Sequence, residues 1–459
     1  MPDTIAAIAT ARGRAALAIV RLSGPAAVEI AAACFRGRDL RTAASHTAHV
    51  GFVEAPRGGD ADQVVVTLFR APRSVTGEDV VEIACHGGDF AAPLILETLL
   101  HHGARMAAPG EFTQRAFLNG KMDLAQAEAV ADLIHASSTL AHRVSLSHLQ
   151  GRYSERLQAL RDELLQLAAL VELELDFSDE DVEFADRSRL DALLTRAQAL
   201  LEELLASYRV GELLRDGVRV VIGGRPNAGK STLLNALVGR DRAIVSPTPG
   251  TTRDEVEAEA EIEGFRFRFV DTAGLRATSD AIEAEGVRRA HRSIERADVL
   301  LYVYDLTSGL DAEEHAFLGS VQAKGLPHLV LAGNKADLLG PAAPPPNLDG
   351  APYVVLSAER GLQEAGALTD LVRVLIETAG AHLGGADASH VVTNQRHRRH
   401  LQHALGAVHA ARRALDAGAS GDLLTLDLRA ALHDLGAITG EITNEDVLDQ
   451  IFSRFCIGK

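Results

Sequence analysis

Cysteine is scarce in this chain: its 459 residues include three, Cys34, Cys85 and Cys456. So odd and widely spaced a set supports neither a disulfide framework nor a zinc cluster, and it fits a reducing cytosol. Long apolar runs are missing too, since no stretch reaches the roughly 18 uncharged residues that cross a bilayer. Near the N-terminus, Arg12 and Arg14 lie inside or after the apolar stretch instead of before it, which is not a signal-peptide pattern. Positive charge is also in short supply, with 46 Lys+Arg against 63 Asp+Glu and a net charge of −17. That balance argues against coating nucleic acid by bulk charge, but it leaves room for a local basic site. Internal repeats and low-complexity tracts are absent. The expectation is a cytoplasmic chain with no membrane partner.

What remains is an ordinary globular composition, 47% hydrophobic and 24% charged. At roughly 100–200 residues per domain, the length predicts two to four domains. Residues 1–120 alternate β-rich runs (64–69, 80–85) with small-residue helices, an α+β pattern. Residues 121–215 are helical in period, with Leu157, Leu160, Leu164, Leu167 and Val171 on one face. The acidic stretch 172–183 reads as a loop between helices. Over 216–380 strand-like runs at 218–222, 265–269, 299–304, 329–331 and 353–356 alternate with helices, predicting a doubly wound, mainly parallel sheet. Helical character returns over 381–459. The expected fold is multidomain: an N-terminal α+β domain, a helical domain made from two segments, and an α/β domain inserted between them.

The chemistry concentrates in the inserted domain. Directly after the strand at 218–222 come Gly224, Arg225, Pro226, Asn227, Ala228, Gly229, Lys230 and Ser231. This is G-x-x-x-x-G-K-[ST] in its strand–loop–helix frame, with Thr232 leading into the helix. Its backbone N–H groups can close around phosphate oxygens at a helix N-terminus, Lys230 supplies a point charge, and Ser231 offers an oxygen to Mg2+. Asp271, Thr272, Ala273 and Gly274 end the strand at 265–270, where the carboxylate can reach Mg2+ through water and Gly274 can turn an N–H to the γ-phosphate. Asn334, Lys335, Ala336 and Asp337 follow the next strand but one. The Asp337 carboxylate can accept two hydrogen bonds from the guanine N–H edge. Adenine would leave it unpaired at a cost of several kcal/mol. Ser357, Ala358 and Glu359 sit where a loop would cover the base. Four elements in this order resemble a translation-factor-like GTPase, a Ras-like G domain.

One departure from Ras-like enzymes is informative. After Gly274 comes Leu275, where they carry a water-orienting glutamine. Catalysis then needs another group, a partner or an added cation. Asn227 offers an uncharged oxygen near the β/γ-phosphates. The run Ser246, Pro247, Thr248, Pro249, Gly250, Thr251, Thr252 is rich in backbone and hydroxyl oxygens. Together they could cage a monovalent cation where an arginine finger would place its charge. The plainer alternative is that Asn227 only stabilises the loop.

Further motifs extend the likeness to the whole chain. They are residues 3–10 with 19–24, residues 76–82 with His86, Gly87 and Gly88, residues 109–129, and the terminal Phe455, Cys456, Ile457, Gly458, Lys459. The chain resembles the MnmE (TrmE) family of tRNA-modification GTPases over essentially its full length. That resemblance implies K+-stimulated GTP hydrolysis with Mg2+, in partnership with the flavoprotein MnmG (GidA). It further implies placing an aminomethyl or carboxymethylaminomethyl group at position 5 of the tRNA wobble uridine. It makes residues 1–120 a domain for dimerisation and for 5-formyltetrahydrofolate or a related derivative. Carried over by motif, the K+ ligands are Asn227, Ser246, Thr248 and Thr251, and Mg2+ takes Ser231 and Thr252. Glu283 matches the water-positioning carboxylate, acting with Lys230 in catalysis, and the folate positions are Arg21, Glu82, Lys121 and Lys459. Lys459 requires the C-terminus to fold back onto the first domain.

Cys456 is either a nucleophile beside the folate or a small residue anchoring the tail; no base can be placed beside it. Cys34 and Cys85 sit in apolar runs and read as core. His86 reads as a turn residue, since no second metal ligand lies at suitable spacing. The segment Arg396, His397, Arg398, Arg399, His400, with Arg412 and Arg413, could grip tRNA phosphates or could pair with the acidic stretch 172–183. Two other functions share the nucleotide motifs: a ribosome-assembly GTPase of the Era/Der type, and a non-enzymatic nucleotide-gated scaffold.

Overall fold

A computed structural model describes residues 3–11, 13–176, 187–239, 257–271, 292–324, 328–339, 350–364, 366–379, 391–419 and 421–459; the side chains of 173–176, 189, 257 and 271 lie outside the description. The described chain falls into two compact units. One comprises residues 1–131, 148–169 and 429–459, the other 132–147 and 170–428.

The first unit is built on seven strands: β1 (Ile5–Ile8), β2 (Leu17–Ser23), β3 (Phe35–Arg36), β4 (Thr47–Glu54), β5 (Asp60–Phe69), β6 (Val80–His86) and β7 (Arg105–Met106). Their order is β3-β4-β5-β6-β2-β1-β7, and only β1–β7 is parallel. Residues alternate in and out with the period of two that a pleated strand imposes. Ala18, Val20, Leu22, Val81, Ile83, Cys85, Val64, Val66 and Leu68 face inward, where the helices Ala27–Cys34 and Ala91–His101 complete the core. The opposite face carries Ile19, Ala84, Val65 and Val50 in register across four strands, with Val50 66% exposed. Arg21 and Glu82 form the next rung of that face. Both cysteines expected in the core are there, and burial pushes each thiol up to about 11.

The C-terminal helix Glu445–Phe452 starts at Asn444, whose side chain accepts from the Val447 N–H at 2.9 Å. Leu448, Phe452 and Phe455 pack with Leu124 and Ala127 in this unit. Ile457 then bridges to Pro109, and a Cβ on Gly458 would fall 2.5 Å from the Ile8 carbonyl oxygen. At φ +98° that close approach requires glycine. The tail therefore does return to the N-terminal sheet.

The second unit holds six strands: β8 (Val218–Gly223), β9 (Glu257–Ile262), β10 (Phe265–Asp271), β11 (Val299–Asp305), β12 (His328–Asn334) and β13 (Tyr353–Val355). They run β13-β12-β11-β8-β10-β9, all parallel except β9 against β10. In β10, Phe265, Phe267 and Phe269 are buried while Arg266 and Arg268 alternate outward. Each such phenylalanine contributes roughly 1.5–3 kcal/mol by leaving water. The helix Arg187–Asp216 packs along Gln395–Asp416 in the same unit.

One expectation is corrected here. The acidic stretch does not begin as a loop, because the helix Arg152–Asp176 runs through its first five residues, 172–176. Glu and Leu are good helix formers, and nothing in that segment stops an established helix.

Candidate functional site

The phosphate loop leaves β8 at Gly224 and enters the helix Lys230–Val238 at Gly229. A Cβ on Gly224, at φ +137°, would meet the Val303 carbonyl oxygen at 2.0 Å, so only glycine lets the loop pass β11. Gly229 (φ +93°) would place a Cβ 2.1 Å from Asn334 Nδ2. The two ends of the loop thus pass their neighbours without side chains. Asn227 is exposed at φ +65°, a left-handed conformation that asparagine tolerates better than most residues, and Ser231 is exposed at the first turn of the helix. Lys230 is 7% exposed, and its Nζ donates to the carbonyls of Gly224 (2.8 Å) and Arg225 (2.7 Å). Ala228 is buried and Thr232 half-buried.

Asn334 joins this loop to the base-side elements. Its Nδ2 donates to the Ala228 carbonyl at 2.8 Å, and its Oδ1 accepts from the Ala358 N–H at 2.9 Å. At 3% exposure it is a strut between the two subsites. Ser357 caps the helix Ala358–Gln363, accepting from the Arg360 N–H, and the next residue but one, Glu359, is exposed. Asp337 lies in the single turn Ala336–Leu338, with its carboxyl held below the usual range first by a hydrogen bond from Ser357. The lowered carboxyl stays ionised and open to solvent. Lys335 (φ +67°) instead pairs with Asp305 at the end of β11, Nζ to Oδ2 2.6 Å. Burial raises the Asp305 carboxyl, but hydrogen bonds from Lys335 and Thr307 outweigh it and pull the group down. The sequence reading passed over Asp305; its place at the end of an apolar strand was the available signal. The Asp271 backbone pairs with Ile222, beside the phosphate loop. Ser246, Pro247, Thr248, Pro249, Gly250, Thr251, Thr252, Thr272, Ala273, Gly274 and Glu283 lie outside the described residues.

The folate candidates are only partly brought together. Arg21 and Glu82 face each other across β2 and β6 and form an ion pair at 2.7 Å. Each is the other's partner, which neither charge considered alone would indicate. The Arg21 guanidinium also lies 5.7 Å from the Phe112 ring. Lys121 Nζ donates to the Pro72 carbonyl at 3.0 Å, and Lys459 is half-buried at the returning tail. Among the described residues, no hydrogen bond or ion pair links either lysine to the Arg21–Glu82 pair. Cys456 is exposed, while its carbonyl accepts from the Gly110 N–H. His86 ends β6 and contacts Asp62 at 2.8 Å.

The motifs at 76–82 and 109–129 also contribute Glu78, Glu111 and Arg115 to a charge network with Asp3 and Arg105. Arg115, 12% exposed in its side chain, bridges Asp3 (2.6 Å), Glu78 (3.1 Å) and Glu111 (3.0 Å), and Arg105 joins Asp3 and Glu111 at 2.6 Å each. The hydrogen bond from Arg105 brings the Asp3 carboxyl down to about 2 despite some burial. Glu111 is raised by burial but lowered overall by Arg105, the Ala108 N–H and Arg115. Both carboxyls titrate lower folded than unfolded, so this stabilisation is complete above the ordinary carboxylate range and fades as pH falls toward about 2. Arg115→Met should cost roughly 1–3 kcal/mol, because Glu78 loses its arginine while Glu111 keeps Arg105 and the Ala108 N–H, and it should weaken that pH dependence in part. Urea unfolding followed by circular dichroism, since the chain lacks tryptophan, checks both. An unchanged midpoint would refute it.

On the helix Gln395–Asp416, His397 is buried, Arg398 lies 4.5 Å over the Tyr208 ring, and Arg412 pairs with Asp191 at 3.2 Å. Arg398, Arg399 and Arg413 are exposed, while Arg396 and His400 are half-buried.

Comparison with known proteins places this architecture. The GTP-binding protein TrmE N-terminus model matches residues 4–121, and the MnmE helical domain model matches residues 124–456. The tRNA modification GTPase MnmE of Salinibacter ruber is 68% identical across 100% of this chain and 99% of its own length. That of Cytophaga hutchinsonii is 44% identical over 100% and 98%. A crystal structure of Era in complex with MgGDPNP and 16S ribosomal RNA nucleotides covers 35% of this chain and 56% of its own, at 31% identity and a TM-score of 0.28. The full-length identity and the two matched domains together show that the chain belongs to the MnmE family of tRNA-modification GTPases.

Proposed function

We propose that the chain is a cytoplasmic, K+-stimulated GTPase that works with the flavoprotein MnmG to install a carboxymethylaminomethyl or aminomethyl group at position 5 of the tRNA wobble uridine. The observation that carries the GTPase reading is Asn334. A single buried amide ties the phosphate loop to the base-side segment, so the two subsites form one rigid frame. Lys230 lies against the phosphate cradle, Asp337 accepts the guanine N–H edge, and Glu283 is assigned to orient the attacking water.

Among the described residues, the exposed oxygens of Ser231 and Asn227 support the ion assignments. Ser231, exposed at the helix start, would hold Mg2+ with Thr252. Asn227, exposed within the loop, would hold K+ with Ser246, Thr248 and Thr251. When bound, these ions supply the positive charge that an arginine finger supplies elsewhere. Arg21, Glu82, Lys121 and Lys459 are assigned to 5-formyltetrahydrofolate or a related derivative; the Arg21–Glu82 pair lies on the sheet face opposite the helices, its side chains 19% and 26% exposed. A second copy of the chain would cover the neighbouring apolar row Ile19, Ala84, Val65 and Val50, giving a homodimer. The exposed Arg398, Arg399 and Arg413 are the local cations for tRNA in an otherwise acidic chain.

Ribosome assembly loses ground because it needs no domain at residues 4–121, where the TrmE model matches. Nucleoside mass spectrometry of tRNA from a strain lacking the protein tests the modification; unchanged wobble uridines would sink it. Turnover in K+ against Na+ tests the enzyme, and none in either would favour a scaffold. Asn227 separates its two readings. Asn227→Gly keeps the left-handed turn but removes the side-chain oxygen, so K+ stimulation should fall roughly tenfold or more while GDP affinity holds. Intact K+ stimulation would leave Asn227 a loop residue only.

A further inference from the structure

Arg225 occupies a position in the phosphate loop that the motif leaves open to any residue, yet its guanidinium is ion-paired twice. Its Nη2 contacts the carboxylates of both Asp311 and Glu314. These two residues form the reciprocal cap of the helix Ala312–Lys324: the Glu314 N–H donates to Asp311 Oδ1 at 2.8 Å, and the Asp311 N–H donates to Glu314 Oε2 at 2.9 Å. Glu314 is only 7% exposed, and the Tyr302 hydroxyl on β11 donates to its Oε1 at 2.8 Å. A carboxylate buried this far costs several kcal/mol if its cation is taken away, so the pairing with Arg225 is enforced. The backbone of the same arginine does something else: its carbonyl accepts from Lys230 Nζ at 2.7 Å.

We propose that Arg225 is a positioning residue for GTP hydrolysis. Anchored on Asp311 and Glu314, it fixes the carbonyl that aims the Lys230 ammonium into the phosphate cradle. The proposal rests on the nucleotide reading of this loop. Arg225 acts on the phosphate only through Lys230. Ground-state binding is spread over the loop N–H groups and the base contacts, so it changes little when one carbonyl drifts. Charge developing on the transferred phosphoryl group depends on where the ammonium points, so the loss appears in kcat.

The test uses the full chain, with GTP hydrolysis and GDP binding measured for Arg225→Met, Arg225→Lys, Glu314→Gln and the Arg225→Met/Glu314→Gln double variant. Arg225→Met should lower kcat roughly ten- to a hundredfold, with KM and the GDP Kd within about threefold. Arg225→Lys should recover part of the rate by keeping one charged contact. The double variant should be no slower than Arg225→Met, because both changes break the same link. A wild-type kcat for Arg225→Met, or losses that multiply in the double variant, would overturn the proposal. So would a loss explained by fewer GDP-binding sites at unchanged kcat per site. If the unmodified chain turns over no GTP in K+ or Na+, the GTPase reading itself fails instead.

Discussion

Lys230→Ala should lower GTP turnover by roughly two to three orders of magnitude while leaving the circular dichroism spectrum intact, because it removes one preorganised cation from the reacting charge. The fold should survive, since Nζ donates to the loop carbonyls of Gly224 and Arg225 and alanine is an excellent helix former at this first helical position. Lys230→Arg should fail nearly as badly, although it keeps the charge. A guanidinium is a planar fork with donors in fixed directions and cannot replace a compact ammonium between two backbone carbonyls. The composition supports this argument. Among 46 basic residues, the lysines are Lys121, Lys230, Lys324, Lys335 and Lys459; every other one is arginine. In a chain that uses arginine almost everywhere, four of the five lysines, Lys121, Lys230, Lys335 and Lys459, fall at positions assigned to nucleotide or folate. Single-turnover phosphate release gives the rate, and near-normal activity in Lys230→Ala would mean that the loop has been misassigned.

Asp337→Asn should reduce GTP affinity by roughly three orders of magnitude or more and turn selectivity toward xanthosine triphosphate. In the proposed base site the carboxylate would accept from two guanine N–H groups, whereas an amide brings donors of its own to the same edge. Xanthine carries a carbonyl where guanine has its amino group and so offers that amide an acceptor. Because the Asp337 carboxyl sits below its usual range, chiefly through Ser357, guanine binding should persist as pH falls into the ordinary carboxylate range and be lost only below it. Competition of GTP, ATP and XTP for one labelled GDP site reads both effects. Unchanged GTP preference in the variant would move base recognition elsewhere.

Much of the site is legible in the sequence because its chemistry is backbone chemistry at fixed spacing. Gly224 and Gly229 stand where left-handed or crowded backbone demands them, and the alternation of Phe265, Phe267 and Phe269 with Arg266 and Arg268 announces a half-buried strand. β9 was not legible. Its Glu-Ala-Glu-Ala-Glu-Ile is weak in strand propensity, and pairing with β10 makes it a strand. Arg21 and Glu82 were legible as charges but not as one ion pair, since their register follows from the whole β2–β6 ladder.

The sequence by itself determined the nucleotide motifs, their order, the Ras-like alternation and the family, because each depends on local spacing along the chain. Tertiary structure alone decided which of those residues work through one another. Asn334 reaches Ala228 from 106 residues away, Arg115 gathers Asp3, Glu78 and Glu111, and Arg225 is clamped by the cap of a distant helix. Such partnerships leave no period in the sequence. They arise because a buried polar group must find its partner wherever the fold brings one within reach.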